Sequence, residues 1–112
     1  MTDSWRRSAF LHAHKCHPHE CCGLLIKVDG VDIYWKCKNI SEAYKEKSFV
    51  IDRLDYAAGE DQGEVVGIVH SHPDGELKFS ETDITSCNHL ELDFYLVDPF
   101  TESIIMIEPE KQ

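Results

Sequence analysis

No apolar run in this sequence approaches the ~20 residues a membrane span needs, and the amino end lacks the apolar stretch of a secretory signal. Asp3, Trp5, Arg6 and Arg7 stand there instead, with histidines at 12, 14 and 17. Basic residues are scarce: 11 Lys and Arg face 21 Asp and Glu, a formal charge of -10. Such a surface repels phosphate backbones and anionic head groups, which excludes nucleic acid and membrane as main partners. The five cysteines (16, 21, 22, 37 and 87) are odd in number and show no C-x-x-C spacing. A disulfide framework and a cysteine-rich zinc module are therefore both disfavoured, and the residues read as thiols in a reducing, cytoplasmic compartment. There is no internal repeat, linker or low-complexity tract. What remains is a globular composition, 42% apolar and 29% charged with eleven aromatics, in 112 residues. That length suits one domain over 1–112 and leaves no room for a second catalytic unit.

Hydrophobic spacing predicts the elements. Residues 3–16 (DSWRRSAFLHAHKC) place Trp5, Ala9, Phe10 and Ala13 at helical intervals before Pro18, so an amphipathic helix is expected. Residues 22–28 (CGLLIKV) and 31–38 (VDIYWKCK) read as strands around Asp29-Gly30, the strongest short hairpin signal. Residues 39–47 look like a connection, and Phe49 to Ile51 like a short edge strand. A helix over 53–61 precedes Val65 to Val69, a branched run that reads as a buried strand. Residues 73–79 combine Pro, Asp and Gly in a loop, Ser80 opens a helix to about Leu90, and strands over 92–97 and 103–107 flank a turn at Pro99. The expected fold is α/β, a single domain with a mixed, mainly antiparallel sheet flanked by helices.

The chemistry concentrates between residues 70 and 83. His70 and His72 are two apart at the end of a strand, so their rings project on one side and can share an ion. Ser80 and Asp83 are three apart at a helix start and also face one way, which makes Asp83 a third ligand. Two imidazoles and a carboxylate on a tetrahedral cation leave one position for water, the pattern of a catalytic zinc site. Each piece has an ordinary reading. His-x-His occurs on strands that bind nothing, Ser-x-x-Asp is a common helix cap, and Glu20 by itself reads as a solvated loop acid. Their conjunction favours a metal. The remaining histidines at 12, 14, 17, 19 and 89 read as solvated, Cys22 as a small packed residue and Cys87 as helix core.

The sequence resembles the JAMM (MPN-plus) zinc metallopeptidases, whose motif is Glu, then His-Ser/Thr-His, seven residues, Ser, two residues, Asp. Here Glu20, His70-Ser71-His72, residues 73–79, Ser80 and Asp83 fill it. The resemblance spans most of residues 8 to 98, and over Asp55 to Gly75 it is especially similar to the branch found in phage tail assembly proteins. It implies a JAMM/MPN fold of the cytidine-deaminase-like kind, with zinc on His70, His72 and Asp83. Glu20 would act as the catalytic proton acceptor and donor, and Ser80 would bond the oxyanion. The implied function is a peptidase or isopeptidase acting on a protein or peptide substrate, processing phage tail components or, alternatively, a ubiquitin-like or sulfur-carrier protein in a bacterial cell. An extended substrate is expected to add along a sheet edge beside the metal. In the phage branch a NlpC-type cysteine peptidase domain commonly follows, so this chain is expected to be a stand-alone version or a shortened one. A non-catalytic scaffold is the competing class, since relatives without the metal set serve as scaffolds. A zinc nucleobase deaminase requires a P-C-x-x-C segment, which the chain lacks.

Overall fold

A computed structural model describes residues 4–42 and 49–110. Three helices and five strands alternate in the order α1 (Ser4–Cys16), β1 (Cys22–Val28), β2 (Val31–Cys37), α2 (Arg53–Gln62), β3 (Glu64–Ser71), α3 (Glu81–Leu90), β4 (Asp93–Asp98) and β5 (Ser103–Ile107). The strands form one sheet ordered β2-β1-β3-β4-β5. Only the β3–β4 pair is parallel, as a helical crossover through α3 permits. The expected mixed, mainly antiparallel sheet is the one observed.

Local chemistry accounts for most of these elements. Asp29 and Gly30 both adopt positive φ, at 51° and 78°, which matches a type I′ turn and sets the β1–β2 register. Asp52 starts α2 by accepting the Leu54 N–H at 3.0 Å. Expected and observed boundaries differ chiefly at two places. The strand expected over 65–69 continues through His70 and Ser71, because β1 and β4 flank it on both sides and supply ladder partners that composition does not reveal. The edge strand expected at Phe49 to Ile51 is a single bridge between Asn39 and Ile51. Most of the connection read at 39–47 lies outside the described residues.

Alternation along the strands divides the core in two. On one face Trp5, Ala9 and Ala13 of α1 cover Cys21, Leu25, Val69 and Val97. On the other, Cys22, Leu24, Ile26, Ile68 and Phe94 pack with Cys87 of α3 and with partly buried side chains that include Trp35 and Tyr56. His70 follows Ile68 by two, so it belongs to this second face. Gly59 lets α2 lie close: a Cβ there would come within 2.9 to 3.1 Å of Leu24, Trp35 and Ile26. Gly59→Val should therefore lower unfolding free energy by about 1–3 kcal/mol in chemical denaturation.

His12 departs from the expected solvated helix end. Its ring is partly buried, and Nδ1 lies 2.6 Å from the Tyr34 hydroxyl. Burial, then Lys36 and Lys15, push His12 down to about 4, while burial holds the Tyr34 phenol well above its usual value. The phenol therefore donates and the neutral imidazole accepts. The folded value lies below the ordinary histidine value of 6.5, so the unfolded chain binds more protons between those limits and this contribution to stability declines as pH falls from about 6.5 to 4. Urea unfolding at pH 7 and pH 4 should show the wild type losing about 2 kcal/mol more than His12→Gln over that interval, after allowance for the exposed part of the ring.

Candidate metal centre

The candidate centre lies where β3 ends and α3 begins. Ser80 is the N-cap of α3, its Oγ accepting the Asp83 N–H at 3.0 Å, while Asp83 Oδ2 accepts the Ser80 N–H at 3.0 Å. This reciprocal box realises the ordinary reading of Ser-x-x-Asp. The same Oδ2 also lies 3.3 Å from His70 Nε2 and 3.5 Å from His72 Nε2. One donor atom from each of His70, His72 and Asp83 falls within 4.8 Å of the others, and among the described residues no other histidine, cysteine or carboxylate group converges in this way. The cap and the ligand readings thus hold together, because a single carboxylate oxygen serves the helix start and faces both imidazoles.

The donors suit a cation. His70 is fully buried; neither ring nitrogen makes a well-aligned hydrogen bond, and the polar group facing Nε2 is the Asp83 carboxylate at 3.3 Å, so the ring is poorly satisfied for a buried polar group. Burial, despite Asp83 nearby, keeps His70 below its ordinary value and hence neutral. Burial raises Asp83, but the His70 and His72 rings and the Ser80 N–H outweigh it and hold the carboxyl well below the usual range, so it is ionised. For His72, burial is outweighed by Asp83 and Glu20, and the net direction is upward. The His72 Nδ1 lies 3.1 Å from the Glu76 carbonyl oxygen. Because a carbonyl only accepts, Nδ1 carries a proton, and in the neutral ring this leaves the Nε2 lone pair facing Asp83.

Glu20 is not the solvated acid its isolated position suggests. It is 5% exposed and lines the same cleft as His72, Ser80 and Asp83. Burial, partly offset by His72 and reinforced by Asp83 and Asp74, pushes its carboxyl up to about 7. The cleft encloses about 900 Å³, with Phe49, Ile51, Tyr56, Phe79 and Phe94 among its apolar walls and Asp74, Glu76 and Glu81 among its acidic groups. Sequence reasoning missed Phe49, whose ring stacks on His70 with centroids 4.8 Å apart and planes at 29°. No short-range spacing signals that contact, which depends on the long-range pairing of residues 39 and 51. β3, which carries His70, is already paired with β1 and β4, and among the described residues the sheet edges are β2 and β5.

Comparison with known proteins agrees with this geometry. Residues 2–107 match the family described as prokaryotic homologs of the JAB domain. A curated relative, tail tip assembly protein K of Escherichia phage N15, is 42% identical over 86 residues, which cover 77% of this chain and 35% of the relative. The chain thus spans only about a third of that protein. Among solved structures, a protein from Desulfitobacterium hafniense aligns with a TM-score of 0.70 at 22% identity, covering 91% of this chain and 76% of the other. A JAB1/MPN domain protein from Archaeoglobus fulgidus aligns with a TM-score of 0.60 at 22% identity, covering 92% and 81%. These two likenesses concern the fold. With the sequence match across nearly its whole length, the chain belongs to the JAB/MPN family in its prokaryotic branch.

Proposed function

We propose that residues 1–112 act as one zinc-dependent metallopeptidase or isopeptidase domain, with His70, His72 and Asp83 as the metal ligands. The observation that carries this reading is the convergence of those three donors beside a buried glutamate in one cleft. Zinc held by two imidazoles and a carboxylate supplies Lewis acidity and lowers the pKa of coordinated water to about 7.

The chain's own groups supply the rest. Without a cation, burial raises the Glu20 carboxyl to about 7, and a divalent ion at the donors would favour its ionised, proton-accepting form. Such a group can accept a proton from attacking water and return it to a departing amine nitrogen, and general acid–base help of this kind contributes about 10²–10⁴-fold. Ser80 Oγ is engaged as an acceptor by the Asp83 N–H, which leaves its own proton available to an oxyanion. The apolar walls and acidic groups of the cleft suit a peptide segment bearing apolar and cationic side chains, held in the cleft and not added to the sheet.

Similarity to a phage tail tip assembly protein favours tail assembly as the setting, with a tail component as substrate. Processing of a ubiquitin-like or sulfur-carrier protein is the alternative. Convergence of two imidazoles and a carboxylate beside a buried glutamate favours the catalytic reading over a non-catalytic scaffold. Among the described residues no helix is long and apolar enough to cross a membrane, and a cytoplasmic site of action is part of this proposal.

Elemental analysis after zinc loading should find about one ion per chain in the wild type and none in His72→Ala or Asp83→Ala. Chelation should lower the melting temperature of the wild type but not of His72→Ala or Asp83→Ala, since a ligand that binds only the folded state stabilises it. Glu20→Gln should keep its zinc and lose hydrolysis of tail-protein or Lys-linked amide substrates by about 10²–10⁴-fold. Ser80→Ala should also keep metal and slow turnover by about 10²-fold. Full activity in Glu20→Gln overturns the assignment.

A further inference from the structure

We infer that Asn39 and Ser71 are positioning residues that clamp, from opposite ends, the peptide unit joining Glu20 to Cys21, and so fix where the Glu20 carboxyl enters the cleft. The inference rests on the proposed catalytic role of Glu20. β1 takes its register from Cys22 onward, where Cys22 pairs with Cys37 on one side and His70 on the other. Upstream of that residue the ladder no longer dictates position, yet Glu20 and Cys21 are buried.

Two side chains take over from the ladder. Asn39 Nδ2 donates to the Glu20 carbonyl at 3.1 Å, and the Cys21 N–H donates to Ser71 Oγ at 2.9 Å. Those two groups belong to one planar unit, so holding both removes most of its freedom to rotate. The Ser71 N–H returns a bond to the Cys21 carbonyl at 3.2 Å. The Asn39 amide orientation is fixed independently, because its Oδ1 accepts the Ser41 N–H at 3.0 Å and the Val50 N–H at 3.1 Å.

Each arm reaches a different part of the centre. Ser71 sits between His70 and His72, so its arm ties Glu20 to the strand that carries the two imidazoles. Through Val50, the Asn39 arm ties Glu20 to the segment whose Phe49 stacks on His70. A displacement of about 1 Å in a reacting group can cost about 10²-fold in rate, so a clamp of this kind bears on turnover and not on ligand identity.

Asn39→Asp tests the clamp because it replaces the NH₂ donor by oxygen and keeps an acceptor for Ser41 and Val50, while Ser71→Ala, which adds no charge, controls for the negative charge that Asp introduces. In the zinc-free full chain, amide exchange followed by NMR should show Cys21 exchanging at least about 10-fold faster in Asn39→Asp and in Ser71→Ala, with Leu24 and Val69 unchanged. Ser71→Thr, which keeps the hydroxyl, should retain the wild-type rate. In the zinc-loaded protein, Asn39→Asp should lower kcat by about 10- to 100-fold with KM and zinc content unchanged. Unchanged Cys21 exchange, wild-type kcat in an active enzyme, or loss of zinc from Asn39→Asp overturns the inference. Should Asn39→Asp unfold, Ser71→Ala against Ser71→Thr decides it by the same exchange readout. Absence of turnover in the unaltered protein sinks the hydrolase reading instead, and the exchange measurement then judges the clamp alone.

Discussion

One carboxylate oxygen organises the centre. Asp83 Oδ2 accepts the Ser80 N–H that begins α3 and faces the Nε2 atoms of His70 and His72 at 3.3 and 3.5 Å. An ionised side chain is stabilised at a helix N-terminus by the free N–H groups and the positive end of the dipole. The energy that starts the helix therefore also keeps Asp83 charged and aimed at the strand end. Folding and donor assembly are one event here, because α3 cannot begin in register without delivering its aspartate to the two imidazoles.

That coupling explains why the centre sits on this face of the sheet. β3 is central, its backbone satisfied by β1 on one side and β4 on the other, so the side chains at its carboxyl end occupy a rigid platform. His70 takes the parity of Ile68 and is enclosed by Phe49, Phe79 and Phe94, whose centroids lie 4.8, 6.1 and 6.1 Å from its ring. An aromatic wall of this kind excludes water and keeps the imidazole neutral, the state a cation requires of its ligand. His72 lies one residue beyond the strand and remains partly open to the cleft, so one of the two candidate donors is insulated and the other borders open space.

Much of this was legible in the sequence because the signals are local. Asp29-Gly30 announces its turn, Trp5, Ala9 and Ala13 announce a helix face, and the spacing of His70, His72, Ser80 and Asp83 announces a site through the periods of a strand and a helix. What was hidden depends on partners far along the chain. The burial of Glu20 follows from its lying beside the His70 end of β3, fifty residues away in sequence, and no pattern near residue 20 encodes it. The same holds for Phe49, brought to His70 by pairing between residues 39 and 51, and for Asn39, which reads as an ordinary polar residue after a strand. The edge strand expected at 49–51 shrinks to one bridge for a related reason: Phe49 and Ile51 are partly buried against the second core and the cleft while Val50 stays exposed, so the triplet's apolar character reflects side-chain packing and not a ladder.

The acidity of the chain bears on the site as well as on its surface. Glu20, Asp74, Glu76, Glu81 and Asp83 share one cleft with a single cation, Lys78. For Glu20, whose burial already raises it, the charges of Asp83 and Asp74 add to the upward shift. A divalent ion at the donors reverses that sign locally, since positive charge favours the ionised form of every carboxyl nearby. The protein thus invests its negative potential where a cation relieves it, and the carboxyl that does not contact the ion is the one left near neutrality in the unrelieved state. Burial and a neighbouring cation thus act on the Glu20 carboxyl in opposite senses, so occupancy of the candidate centre would set its charge.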